Sequence, residues 1–170
     1  MNSLFETAAY NEIRSRLDQL EPDATKQWGT MDAGQMLHHC QAPLNVLLEK
    51  KEYGLKPNWF AKTFFKKAMY SDKPWRKNLP TMKQFRETEQ RDFNKEKKAL
   101  ETLLEEVNAQ RDRQEWQAHP TFGALTKEQW GKMQYKHLDH HFRQFGVLMF
   151  IRKLAFREIV LPHLQRADGF

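Results

Sequence analysis

The sequence of 170 residues contains a single cysteine, Cys40. One thiol excludes a disulfide framework within the chain and is typical of a reducing compartment. The chain also lacks any run of about 18 apolar residues, the length that a membrane-spanning helix requires, and no apolar segment follows Met1 as in an export signal. These absences predict a cytoplasmic protein without insertion into a membrane.

Glycine and proline are scarce, with seven of each, and no long stretch alternates between apolar and polar residues as a strand would. Hydrophobic residues make up 39% of the chain and charged residues 29%, which is typical of a helical globular protein. The length suits one hydrophobic core. We therefore expect an all-α protein with a single domain over residues 1–170.

The net charge of +6 raises the question of nucleic-acid binding. Acidic residues are interleaved with the basic ones in most segments, as in EKKALETLLEE, and the densest basic stretches are short, as in FFKKAMYSDKPWRK. A positive balance indicates non-specific attraction more than a dedicated surface. We expect neither nucleic acid nor a membrane as partner.

Apolar residues recur at helical spacing in several segments. Four longer helices are predicted, over residues 3–20, 32–50, 85–113 and 126–146, together with a shorter one over 57–70 and a further one after Gly146. Ser3 with Glu6 and Thr126 with Gln129 have the spacing of capping boxes, and Thr30 or Asp32 can cap the second helix. This pattern predicts a bundle of four principal helices with short extras in an insertion near residues 57–80 and at the C-terminus.

The stretch KHLDHHFRQF, residues 136–145, holds three histidines within five positions. On a helix, His137 and His141 project from one face about one turn apart and can chelate one ion. Asp139 lies on the opposite side, either towards solvent or towards a neighbouring element.

The helical face of the histidine pair is apolar at both ends, so we expect it to be turned inward and its histidines to need partners. The face comprises Trp130, Met133, His137, His141, Gln144 and Leu148. Two histidines alone leave two interpretations open: metal ligands, or polar core histidines bonded to backbone or water.

The second predicted helix offers a third histidine in the sequence MLHHC. A helical wheel places His39 at the edge of the apolar arc and His38 among polar residues, so His39 is expected to point inward and His38 towards water. Cys40 falls within the apolar arc, where a thiol acts as a small core residue. The candidate metal triad is therefore His39, His137 and His141.

The combination of QMLHHC with HPTFGALTKEQWGKMQYKHLDHHFRQFG resembles the DinB-like (DinB/YfiT) superfamily, and within it a branch of domains of unknown function. The resemblance spans about residues 28–146. It implies a four-helix bundle in which an L-x-H motif and an HxxHHxxQ motif supply three histidine ligands. Leu37-His38-His39 matches the first motif, and His137, His140, His141 and Gln144 match the second.

Three neutral imidazoles suit zinc, nickel, copper or iron(II). Among these, zinc or nickel is favoured, with iron as a further candidate. The resemblance implies an enzyme that transfers a low-molecular-weight thiol to an electrophilic small molecule, and relatives in the superfamily often form homodimers. A hydrolase that uses the same ligands is a less favoured alternative. A further alternative is a non-enzymatic bundle whose structural or vestigial metal site supports partner binding.

No Asp or Glu stands beside the triad in the sequence as an evident general base. His119, on the loop before the histidine helix, is the candidate catalytic acid, base or substrate contact. A solvated or capping loop residue is the competing interpretation. Gln144, Trp130 and Met133 are the candidate substrate-binding residues, with Trp130 as a pocket wall. Gln144 could equally satisfy a buried backbone group.

Overall fold

A computed structural model describes residues 1–148 of the protein, and within them the fold is all-α. The α-helices are α1 (Thr7–Gln19), α2 (Ala33–Leu47), α3 (Trp59–Phe64), α4 (Lys66–Tyr70), α5 (Phe93–Ala109) and α6 (Lys127–Gln144), with a 3₁₀ turn at Lys83–Phe85. Residues 1–148 contain no strand, and only His119 and Gly123 form an isolated bridge. The prediction of an all-α fold is confirmed.

The four long helices α1, α2, α5 and α6 pack around one hydrophobic core. Helix α2 packs on α5 and α6, and α1 packs on the same two helices. Helix α6 also contacts α4, so three helices surround it. The largest fully buried apolar side chains are Trp130, Phe142, Leu4, Ile13, Leu17, Leu20, Met36, Leu37, Leu44 and Leu47.

Two predicted helix starts are confirmed by their hydrogen bonds. The Asp32 side chain accepts from the Gln35 backbone N–H and the Gln35 side chain accepts from that of Asp32. Thr126 and Gln129 form the same reciprocal pair before α6. These boxes fix the first turns of α2 and α6, and with them the residues at which both histidine-bearing helices begin.

The predicted cap of α1 at Ser3 is wrong, because the helix begins at Thr7. Residues before it instead pack against α6, where the Leu4 N–H donates to the Gly131 carbonyl at 3.0 Å. A Cβ atom at residue 131 would lie 2.0 Å from the Ser3 hydroxyl. The glycine therefore permits this close approach, and the tertiary contact replaces the expected cap.

Two other predicted boundaries need correction. Helix α5 begins at Phe93, not near Phe85, because Asp92 accepts from the Lys95 N–H and caps it there. The predicted helix over 57–70 is two short helices, α3 and α4, that meet at Phe65. The predicted helix is thus interrupted at Phe65.

Within the described part of the chain, no helix has the length and apolar character needed to cross a membrane. The predicted helix after Gly146 lies almost entirely outside residues 1–148. Leu148 was expected on the inward face of α6, but that helix ends at Gln144 and the Leu148 residue is 55% exposed.

Candidate metal centre

The candidate centre lies between α2 and α6, and all three histidines of the predicted triad are buried there. His39 comes from α2, whereas His137 and His141 come from successive turns of α6. His38 points away from this group and is partly exposed, with its Nδ1 2.7 Å from the Glu87 carboxylate. The predicted orientations of His38 and His39 are confirmed.

The three imidazoles converge on one point. Each offers a ring nitrogen, and these ligand atoms all lie within 4.8 Å of one another. The Nε2 atoms of His39 and His137 are 3.1 Å apart, and the ring centroids of the three pairs are separated by 5.0, 4.7 and 4.6 Å. Among residues 1–148, no fourth His, Cys, Asp or Glu joins the cluster.

Hydrogen bonds fix the protonation of His39. Its Nδ1 lies 2.9 Å from the Phe85 carbonyl oxygen, which can only accept, so Nδ1 carries the proton. In a neutral ring Nε2 then keeps its lone pair. This nitrogen is the one that faces His137, so His39 presents a ligand atom to the cluster.

His141 is fixed through Gln144. The Gln144 amide nitrogen donates to the Trp28 carbonyl at 2.8 Å, which turns its Oε1 towards His141 Nδ1, also at 2.8 Å. His141 must therefore donate from Nδ1, and its Nε2 keeps the lone pair. Such an acceptor behind a ligand orients the ring and sets its tautomer.

His137 contacts both other rings, yet its Nδ1 is buried without a hydrogen-bond partner. If its Nε2 also carries a lone pair, two lone pairs face each other across 3.1 Å. Two nitrogens that bind one zinc ion at about 2.0–2.1 Å with a tetrahedral angle lie about 3.3 Å apart. The spacing and the donor set therefore fit a shared cation.

Burial lowers the pKa of His39, and it lowers the pKa values of His137 and His141 well below the ordinary range of histidine. The neighbouring imidazoles lower them further, because two adjacent rings resist carrying charge together. The triad is consequently neutral at pH 7. Neutral imidazole is the form that binds metal.

These shifts predict how the stability of the metal-free protein depends on pH. The three histidines have lower pKa values in the folded state than the value of about 6.5 in the unfolded chain. At pH values between the folded-state and unfolded-state pKa values, the unfolded chain therefore binds more protons than the folded protein. The free energy of unfolding is expected to fall as pH drops below about 6.5, by up to about 1.4 kcal/mol per pH unit for each histidine. Urea denaturation of chelator-treated protein from pH 8 to 5 measures this. Equal stability at pH 7 and 5 would contradict it.

Aromatic side chains from outside the bundle helices wall the centre. The Trp75 ring lies 5.9 Å from His137 and 5.7 Å from His140, and Trp28 meets His140 from another direction at 5.7 Å. The Lys77 ammonium lies 4.7 Å from the Trp28 ring. The insertion thus supplies one wall of the site.

Lys136 fastens the insertion to α6. Its buried ammonium donates to the carbonyls of Ala68 and Ser71 at 2.7 and 2.8 Å, at the end of α4. The Trp75 indole N–H donates to the same Ala68 carbonyl. Burial lowers the pKa of Lys136. Lys136 therefore positions Trp75, the ring that lies against His137.

The predicted catalytic residue His119 occupies a different region. It packs against Phe122 and Trp130, and its Nδ1 accepts from the backbone N–H groups of Thr121 and Phe122. Burial lowers its pKa to about 4. Trp130 precedes His137 by two turns, about 10 Å along the helix axis. The structure does not bring His119 into contact with the triad.

The predicted substrate-binding residues are all buried on α6. Trp130 belongs to the core and donates from its indole to the Gln117 carbonyl. Met133 belongs to the same core. Gln144 is the one that contacts the triad, through His141. Its amide is already bonded on both sides, so in this arrangement it orients a ligand.

Cys40 is a core residue, as expected. Its buried thiol lies 3.6 Å from the Met36 sulfur, and burial raises its pKa. A thiol in this state is a poor nucleophile and a poor metal ligand.

Sequence reasoning missed three residues near the centre. The backbone carbonyl of Phe85 carries no side-chain signal, and Trp75 lies in an irregular segment. Glu87 is a buried carboxylate that bonds to His38 and Arg91, but it stands 48 residues from His39 in sequence. Because all three lie outside the long helices, only the tertiary fold reveals them.

Comparisons with known proteins bear on the family. Neither curated proteins nor solved structures gave a significant match. One family, described as "Protein of unknown function (DUF1569)", has a sequence model that matches residues 2–147, a range that includes all three histidines of the triad. With most of its length matched, the chain belongs to this DUF1569 family.

Proposed function

We propose that this protein is a metal-dependent enzyme of DinB-like type that transfers a low-molecular-weight thiol to an electrophilic small molecule. The observation that carries the proposal is the convergence of His39, His137 and His141 in one buried cluster without a fourth ligand among residues 1–148. Three protein ligands with an open position are typical of catalytic metal sites, whereas structural sites are closed by four.

The resemblance to the DinB-like superfamily supports the same proposal. Its two motifs lie 98 residues apart at His39 and His137, and their ligand positions meet in the folded chain. The four long helices also pack around one core, as such a bundle requires. The DinB-like four-helix bundle is therefore the architecture that we propose.

The residues around the centre have separate tasks in this proposal. His39, His137 and His141 would hold a divalent metal, with zinc or nickel favoured over iron. A bound metal lowers the pKa of a coordinated thiol and holds it as a thiolate. Trp75, which lies against His137, and Trp28, which lies against His140, would offer apolar surfaces to an organic electrophile.

The transfer itself is a substitution at carbon. The thiolate sulfur forms a bond to the electrophilic carbon, the leaving group departs with its electron pair, and the thiol proton passes to solvent or to a base. His119 is the candidate for that base that the sequence offers, although its ring lies against Trp130, two turns of α6 before His137. Gln144 keeps His141 oriented throughout.

A thiol-transfer assay tests the proposal. Metal-loaded protein is expected to accelerate the displacement of chloride from 1-chloro-2,4-dinitrobenzene by cysteine, glutathione or another small thiol, as followed by thioether absorbance. His39→Gln is expected to return the rate to the uncatalysed level. If His119 acts as base, His119→Gln will lower kcat about 100-fold or more while metal content stays unchanged.

Protein that retains one metal per chain but turns over no thiol or electrophile would contradict the enzymatic proposal. It would favour the alternative of a structural site in a partner-binding bundle. The two outcomes are distinguishable because metal content and turnover are measured on the same sample.

A further inference from the structure

The short helices α3 and α4 expose an aromatic patch that the proposed reaction does not use. The patch comprises Trp59, Phe60, Phe64 and Phe65, with exposed fractions of 75%, 56%, 60% and 49%. Large apolar side chains are normally exposed singly, so four neighbouring rings mark an interaction surface.

The exposed rings of the patch pack on one another. The Phe60 centroid lies 4.8 Å from that of Phe64 and 5.7 Å from that of Phe65, and Trp59 meets Phe64 edge-on at 6.4 Å. Neither α3 nor α4 has a buried residue. The patch therefore faces outward, while Ala61 of α3 and Met69 of α4 pack against the hydrophobic core on the other side.

Basic residues lie between and beside the patch residues in the sequence. Residues 56–77 contain seven Lys and Arg but one acidic residue, Asp72, which pairs with the N-terminal ammonium. This segment alone carries +6, since the other 21 basic and 21 acidic residues of the chain cancel. The net charge of the protein is thus the charge of this one segment.

We propose that the aromatic patch is a docking site for an anionic lipid surface. Aromatic rings with a basic rim are the combination that anchors a protein in the headgroup region, where rings enter the interface and lysines attract acidic lipids. This mode is peripheral and needs no spanning helix. It departs from the sequence-based expectation of no membrane partner.

The charge and the geometry of the patch favour an anionic lipid surface over a second copy of the chain and over single-stranded nucleic acid. A second copy of the chain would bring two segments of +6 face to face, which opposes self-association through the patch. Single-stranded nucleic acid needs rings spaced as separate stacking platforms along a groove, whereas these rings pack against each other.

Vesicle co-sedimentation with the full chain tests the proposal. Binding is expected to vesicles of phosphatidylcholine mixed with phosphatidylglycerol, to weaken in high salt, and to be absent from pure phosphatidylcholine. Lys62→Gln with Lys67→Gln is expected to weaken binding on the order of 25-fold, about fivefold for each lysine. Phe60→Ser with Phe64→Ser is expected to weaken it roughly tenfold or more while leaving the charge unchanged.

Matched controls are available on α5, where Lys95→Gln with Lys98→Gln removes the same charge from exposed positions outside the patch. Loss of binding in this control equal to that in the patch variants would overturn the proposal, as would no binding to any vesicle. A dimer in light scattering that Phe64→Ser converts to monomer would assign the patch to self-association instead. Patch-dependent binding of an oligonucleotide without vesicle binding would likewise overturn it.

Discussion

Replacement of His137 by leucine is expected to reduce the bound metal from about one equivalent per chain to none. His137 is one of the two triad histidines on α6, with its Nε2 3.1 Å from that of His39 and its ring 4.6 Å from that of His141. Without it, the chelating pair on α6 is lost, and the two remaining histidines, His39 and His141, lie on different helices. Leucine also removes the unpartnered buried Nδ1, so the fold should tolerate the change.

Elemental analysis after gel filtration without chelator measures this directly, with isothermal titration for affinity. His119→Gln is the matched control, since it alters another histidine, half-buried, that lies against Phe122 and Trp130 instead of the triad. It is expected to keep the metal. Absence of metal from the wild type, even after reconstitution with zinc, nickel or iron(II), would identify the triad as a polar seam in the bundle.

Gln144→Leu provides a graded comparison within the same experiment. It leaves all three ligands in place but removes the acceptor that fixes His141 and the donor to the Trp28 carbonyl. Loss of such a supporting bond typically lowers metal affinity 10- to 100-fold. An affinity equal to that of the wild type would show that Gln144 has another task, such as the predicted contact with substrate.

The triad could be predicted from sequence because each of its histidines lies on a helix with a clear start. Capping boxes at Asp32 and Thr126 set the register, and helical spacing then places His39, His137 and His141 inward. Local hydrogen bonds decide such features, and the two motifs of the resemblance agree with them. The inward-facing side chains of α2 and α6 could therefore be identified without knowledge of the elements that pack against these helices.

The surroundings of α6 could not be predicted in the same way. Periodicity assumes one buried face and one solvated face, but α6 is enclosed by α1, α2 and α4, so even Lys136 and Asp139 are buried. The walls of the centre come from irregular segments whose position depends on long-range contacts, such as the Lys136 bonds to the end of α4. Sequence patterns carry no information on those contacts.

The position of Asp139 depends on such a long-range contact. It was expected either at the solvent face or beside another element, and the structure places it between Arg16 of α1 and Arg143 of its own helix. Arg16 is 2% exposed, and its guanidinium donates to the Asp139 carboxylate at 2.8 Å and to the Val147 carbonyl at 3.0 Å. This ion pair ties α1 to the histidine helix midway between His137 and His141.

Replacement of Arg16 by methionine is therefore expected to lower the free energy of unfolding by about 3–5 kcal/mol. The loss arises mainly because the Asp139 carboxylate stays buried with only Arg143, whose side chain is half exposed. Urea denaturation measures it. Arg14→Met is the matched control on the same helix, because Arg14 pairs with the more exposed carboxylates Glu101 and Glu105 and is expected to cost about 1 kcal/mol or less.

The double variant Arg16→Met with Asp139→Leu separates the ion pair from simple packing. If the cost of Arg16→Met comes from an uncompensated buried charge, removing that charge as well will restore much of the lost stability. Additive losses would instead assign the cost to the other contacts of the Arg16 guanidinium, which lies 3.2 Å from the Glu12 carboxylate and 5.3 Å from the centroid of the Phe142 ring. Since Asp139 lies between the two α6 ligands, the same variants are expected to weaken metal binding in the order of their destabilisation, which links the buried ion pair to the function proposed for the triad.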